Sequence, residues 1–190
     1  MRRKGCKILF DTGYSHAFIR NAQKMGISLL DLDAIVLSHG HMDHTWGLVP
    51  LIQHYIEAAV EGRNCKKPRI VAHPFVYMTR SVKDYIEIGS LLSQGKLAKH
   101  FNLSLSKEPI WLRENLLFLG EIERTNDFEA QKPNGKILRQ DSVEEEDFLL
   151  DDSALVYRST EGLVIITGCS HAGICNIMAY AKKSAEMTAL

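Results

Sequence analysis

The chain's four cysteines, Cys6, Cys65, Cys169 and Cys175, form no CxxC pair, so no zinc-finger or disulfide framework is visible. Reduced thiols in a cytoplasmic setting are the simplest account of them. Charge of one sign is also missing: 23 basic residues balance 23 acidic ones, which gives nucleic-acid binding no support. No long apolar run follows the small basic start MRRKGCK, which therefore reads as neither a signal peptide nor a membrane anchor. A repeat of solenoid length is likewise absent. With 45% apolar residues over 190, the composition fits a single domain, 1–190, with a sizeable core.

Against this plain background stands one dense stretch, HGHMDH at 39–44. It follows AIVLS (34–38), a short apolar run with β-branched residues, as expected for a strand buried on both faces. Leu48, Leu51, Ile52, Tyr55, Ile56 and Ala59 then recur at helical spacing. Pro50 is tolerated only in a first turn, so the helix is expected to start near Thr45, with Thr45 or His44 as its cap. The histidines thus sit on a strand-to-helix loop at the carboxyl end of a buried strand, where ligands bind in α/β sheets. His39 and His41, two apart in an extended turn, can face one side and close on an ion at about 2.0–2.1 Å. Asp43 and His44 come a step later and face a second position beside it. Imidazole and carboxylate donors suit zinc, and by ligand type iron or manganese.

A second strand, loop and helix follows near the end. Residues 154–158 read as a strand, 160–162 as a tight turn, 163–167 as a buried strand, and then a loop carries His171 into a helix. Such a loop can bring His171 to His39 and His41, giving three nitrogens and an open fourth position for water; a core or capping histidine is the alternative. Cys169 and Cys175 flank it, and each is either a substitute ligand or a small buried hydrophobe; Cys175, four residues on, can share the helix face of His171. His73 ends another apolar run near the same sheet edge. Residues 80–106 read as helical, with Tyr85, Ile88, Leu91 and Leu92 in phase and Gly95 as the stop. IWLRENLLFLG reads as a hairpin, and 129–152 as an exposed polar loop with no part in a metal site.

HGHMDH, preceded by ILFDTG and DLDAIVLSH and followed by VAHP and TGCSHAG, resembles the metallo-β-lactamase superfamily, whose signature is HxHxDH. The resemblance implies an α/β fold of αββα sandwich type, two sheets face to face with helices outside, here incomplete at both termini. It implies metal ligands His39, His41, Asp43, His44 and His171, with Asp43 also catalytic and Asp11 bracing the histidine loop. FLGEIERTNDFE and GCSHAGICNIMAYAKK are similar to a branch whose named member condenses a dihydropterin pyrophosphate with a β-ribofuranosylaminobenzene phosphate. The implied function is a zinc-dependent hydrolase or a transferase of that synthase type. Its partner is then a small-molecule substrate, phosphate-bearing in the second case, with Arg124 and His73 as substrate-binding residues. That branch completes its second metal position with a later histidine, and none follows His171, so one complete and one weakened site are expected. The alternative is a shortened relative that binds a metal or ligand without turnover.

Overall fold

Apolar side chains that alternate between two faces, a period of two, organise this chain into layers. In the computed structural model, which describes residues 5–82, 86–139 and 143–186, the elements run β1 (Ile8–Phe10), α1 (Ala17–Lys24), β2 (Ala34–Val36), α2 (Met42–Thr45), α3 (Leu48–Val60), β3 (Arg69–Ala72) and a 3-10 turn (Pro74–Tyr77). Next come β4 (Thr79–Val82), β5 (Ile86–Glu87), α4 (Gln94–His100), β6 (Asn102–Leu105), β7 (Ile110–Arg113) and β8 (Leu116–Phe118). The remainder is β9 (Lys136–Leu138), β10 (Glu144–Glu146), β11 (Ala154–Ser159), β12 (Gly162–Thr167) and α5 (Ile174–Glu186).

One sheet, β1-β2-β3-β6, is parallel throughout; a second, β12-β11-β8-β7, is antiparallel. Their alternation builds the sandwich. Ile35, Ile70 and Ala72 face outward and pack with Ile19 of α1, Leu48 and Leu51 of α3 and Leu97 of α4. Their neighbours Val36 and Val71 face inward and meet Phe118 and Leu155 of the antiparallel sheet. On that sheet's far side Leu117, Ala154 and Val156 pack with Ile177, Ala181 and Ala185 of α5. The order helix, sheet, sheet, helix is the expected αββα sandwich. Each fully buried aliphatic side chain contributes about 1.5–3 kcal/mol, and a one-residue slip would turn every one to the wrong face.

Several local expectations are corrected. A third small sheet, β10-β9-β4-β5, occupies residues read as helix or loop. Ile88, Leu91 and Leu92 lie outside any helix, Gly95 sits in the first turn of α4 instead of ending it, and Tyr85 lies outside the described residues. The reason is long-range pairing: Thr79, Arg80 and Ser81 pair with Leu138, Ile137 and Lys136, which overrides local spacing. Neither His44 nor Thr45 caps a helix through its side chain; Thr45 Oγ1 donates back to the His41 carbonyl, and α3 starts after Gly47 with Pro50 in its first turn. Gly47 is required there, because a Cβ would stand 2.1 Å from the Thr12 carbonyl oxygen. Strand β12 is an exposed edge, with Leu163, Val164 and Ile166 facing solvent. The hairpin at β7 and β8 forms as read.

Candidate metal centre

Asp11 follows β1 with a left-handed backbone, φ 57°, a conformation that aspartate tolerates better than most residues. That bend aims its carboxylate at the loop after β2. Oδ1 accepts from the Ser38 amide at 2.7 Å, and Oδ2 accepts from Ser38 Oγ at 2.8 Å and from His44 Nδ1 at 2.7 Å. A second brace comes from across the chain. Gly40, between the first two histidines, donates its amide to Asp151 Oδ2 at 2.8 Å; Asp151 Oδ1 accepts from Arg80 Nη2 at 2.6 Å, and Asp147 accepts from Arg80 Nε at 2.7 Å. All three charged side chains are almost wholly buried. Only glycine fits between His39 and His41, since a Cβ on Gly40 would lie 2.0 Å from Arg80 Nη1 and 2.4 Å from the Val76 carbonyl oxygen.

Held this way, three imidazoles converge. Ring centroids are 4.7 Å apart for His39 and His41, 4.9 Å for His39 and His171, and 5.0 Å for His41 and His171, each pair edge to face. One nitrogen from each lies within 4.8 Å of the others. The Nε2 atoms of all three are buried and have no hydrogen-bond partner among the described residues. A buried polar atom without a partner costs about 1–3 kcal/mol, so three side by side need an explanation, and a bound cation supplies one. His39 keeps Nδ1 on Ser38 Oγ at 3.0 Å, which fixes the ring and leaves Nε2 for an ion.

Electrostatics prepare the same atoms. Burial drives the His39 imidazole far below its ordinary value, takes His41 down to about 4 and lowers His171, so their lone pairs are unprotonated at neutral pH. Burial also pulls His44 down, but the hydrogen bond and charge of Asp11 outweigh it and leave that ring above its usual value. Asp152, pushed up to about 6 by burial, accepts through Oδ2 from the Ala172 amide at 2.8 Å; its Oδ1 is unpartnered among the described residues and 4.0 Å from His39 Nδ1.

The remaining residues divide. Asp43 is half-exposed at the rim, with Oδ2 3.3 Å from His44 Nε2. Cys169 is exposed and puts Sγ 3.2 Å from the same nitrogen; His39, His44 and Cys169 form a second cluster of potential donors. Cys175 is also exposed and joins neither cluster, so a buried hydrophobe describes neither thiol. His73 departs from expectation: it is fully buried, Nε2 donates to Glu121 at 3.0 Å and Nδ1 accepts from the Phe75 amide at 3.1 Å, leaving no ring nitrogen for a substrate. Arg124 is half-buried, donates Nη2 to the Leu149 carbonyl at 2.9 Å and lines a cavity of about 480 Å³ with Phe75, Arg139 and Phe148. Burial lowers its pKa.

Arg80, Asp147, Asp151 and Asp152 were invisible as site residues, and the last three fall in the segment 129–152 expected to be an exposed loop. That segment instead carries β9 and β10 and buries those three carboxylates. One signal was present: Asp151 and Asp152 stand directly before the buried run of β11, as the histidine loop stands directly after β2.

Residues 1–77 match the family profile described as the metallo-beta-lactamase superfamily. The solved structure of Tm1679, a metal-dependent hydrolase of the beta-lactamase superfamily, shares the fold with a TM-score of 0.74 at 27% identity, over 94% of this chain and 61% of that one. Two proteins of Methanocaldococcus jannaschii are similar in sequence. The uncharacterized protein MJ0448 is 28% identical over 95% of this chain and 64% of its own length. The 7,8-dihydropterin-6-methyl-4-(beta-D-ribofuranosyl)-aminobenzene-5'-phosphate synthase is 29% identical over 97% of this chain and 61% of its own length. The chain thus spans less than two thirds of the length of these relatives. Among the described residues no helix is long and apolar enough to cross a membrane. Its layered sandwich, its histidine loop and these likenesses agree: the chain has the fold of the metallo-β-lactamase superfamily hydrolase Tm1679, and its residues 1–77 match that superfamily's profile.

Proposed function

We propose that this protein is a metal-dependent enzyme, with a zinc-class ion held by His39, His41 and His171 and a small molecule bearing a phosphoryl or acyl group as substrate. The observation that carries this reading is the set of three converging imidazoles whose buried Nε2 atoms have no partner among the described residues. Zinc, when bound, lowers the pKa of water from about 15.7 to about 7 and polarises a phosphoryl or acyl oxygen. The chain's own residues do the rest. Asp43, half-exposed beside His44, accepts a proton from the attacking water. Asp11 and Ser38 hold the rings of His44 and His39 in orientation. Arg124, near enough to Asp152 to feel its charge, offers its guanidinium to an anionic substrate group.

Hydrolysis is the first reading. Similarity to the dihydropterin synthase supports a second, group transfer, in which the same residues stabilise a departing anionic group. Elemental analysis of protein purified without added metal tests the shared premise. About one transition-metal ion or more per chain is expected, falling to background in His41→Ala and His171→Ala; background metal in the unaltered protein, with none taken up on titration, would refute it. Release of nitrophenol from aryl phosphate or ester substrates would then favour hydrolysis, and formation of the synthase's named product would favour transfer. Replacing Arg124 with Ala should raise KM for phosphate-bearing substrates; an unchanged KM removes Arg124 from the site.

A further inference from the structure

His44 turns Nδ1 to Asp11 and leaves Nε2 facing outward, where two donors flank it: Cys169 Sγ at 3.2 Å and Asp43 Oδ2 at 3.3 Å. A ring nitrogen of His39, a fully buried side chain with Nε2 unpartnered among the described residues, lies within 4.8 Å of the ligand atoms of both His44 and Cys169. We propose that Cys169 is a metal ligand, forming with His44 a second, thiolate-containing position beside the three-histidine one, with Asp43 at its edge. Its cation is a borderline-soft divalent ion of the zinc class, since thiolate donors disfavour hard ions such as magnesium or calcium. The inference rests on the metal-centre reading above and adds a donor to it.

Geometry supports the assignment. Bond lengths of about 2.3 Å to sulfur and about 2.0–2.1 Å to nitrogen, at a tetrahedral angle, set the two donors about 3.6 Å apart. The observed 3.2 Å needs an opening of only a few tenths of an ångström. The loop brings the thiol there through a close approach: a Cβ on Gly168 would stand 2.5 Å from Ser38 Oγ and 3.2 Å from His44 Cε1. Cys169 is exposed, so an ion can reach it and the thiol proton can leave to solvent when sulfur ligates the ion. Cys175 supplies the contrast. Its amide is committed to Glu129, and its thiol joins neither donor cluster.

Cobalt(II) titration of the metal-free chain, followed by absorption, tests the proposal in the unaltered protein and in Cys169→Ser and Cys175→Ser. The expected result is a near-ultraviolet thiolate-to-cobalt charge-transfer band that Cys175→Ser keeps and Cys169→Ser abolishes, with one cobalt equivalent weakened at least about 10-fold by the latter. Visible ligand-field bands without the charge-transfer band, or a band that survives Cys169→Ser, would overturn the role of Cys169 and leave the three-histidine centre standing. No cobalt uptake by the unaltered chain would overturn both.

Discussion

The loop after β2 and the loop after β12 bring histidines to the same point, but one is walled in and the other stands at an edge. Residues 37–41 are buried, and their amides at Ser38 and Gly40 are fixed by the carboxylates of Asp11 and Asp151. The second loop leaves an exposed strand and turns through Ser170 at φ 59°. It is tied by the Ala172 amide to Asp152, and by α5's first amides, at Cys175 and Asn176, to Glu129. The difference shows how a site is made from unequal parts. A rigid, preorganised wall supplies most of the donors, and a lightly tied rim supplies His171 and, on our proposal, Cys169.

Substitutions in the two loops should therefore differ in kind. Arg80→Ala leaves two buried carboxylates without their cation and should cost about 3–5 kcal/mol in urea unfolding, with metal affinity falling too. A loss under about 1 kcal/mol would mean the first loop does not depend on this network. Gly168→Ala, which presses a Cβ onto Ser38, should cost about 1–3 kcal/mol and thereby couple the two loops. If thermal melting of that variant is unchanged, the loops are less tightly fitted than described. Asp11→Asn removes the charged partner of His44 and should weaken one metal equivalent about 10- to 100-fold by competition with a chelating dye. Equal affinity would show that Asp11 serves the backbone turn alone. Cys169→Ser, on the exposed rim, should change the stability of the metal-free protein by less than about 0.5 kcal/mol, so that any larger effect of metal on this variant reports ligation.

Much of the first loop was legible because its signals are local. Strand, histidines and helix lie in continuous sequence, and the spacing HxH in an extended turn is enough to place two rings side by side. His171 was legible through the same local plan. The bracing residues were not, because Arg80 lies 67 residues from Asp147 and 71 from Asp151, and a polar run carries no mark of which carboxylates will be buried. For the same reason the sequence left the core role of His73 open: its capping of the Pro74–Tyr77 turn is local, but its second partner, Glu121, is 48 residues away. Of the helical segments expected over 80–106, α4 formed, but the stretch at Arg80 became a strand that found its partner far along the chain.

What the sequence by itself determined is the local elements and the donors: short apolar runs and helical spacing that give mixed α and β structure, and histidines placed at the ends of strands. Those follow from near-neighbour geometry, which the chain carries wherever it goes. Which carboxylates face the site, why Gly40 must be glycine, and which of the two flanking cysteines stands beside His44 were decided only when distant segments closed on one another. Burial and charge pairing belong to the assembled molecule, because the energy of each group depends on neighbours that sequence separation does not reveal.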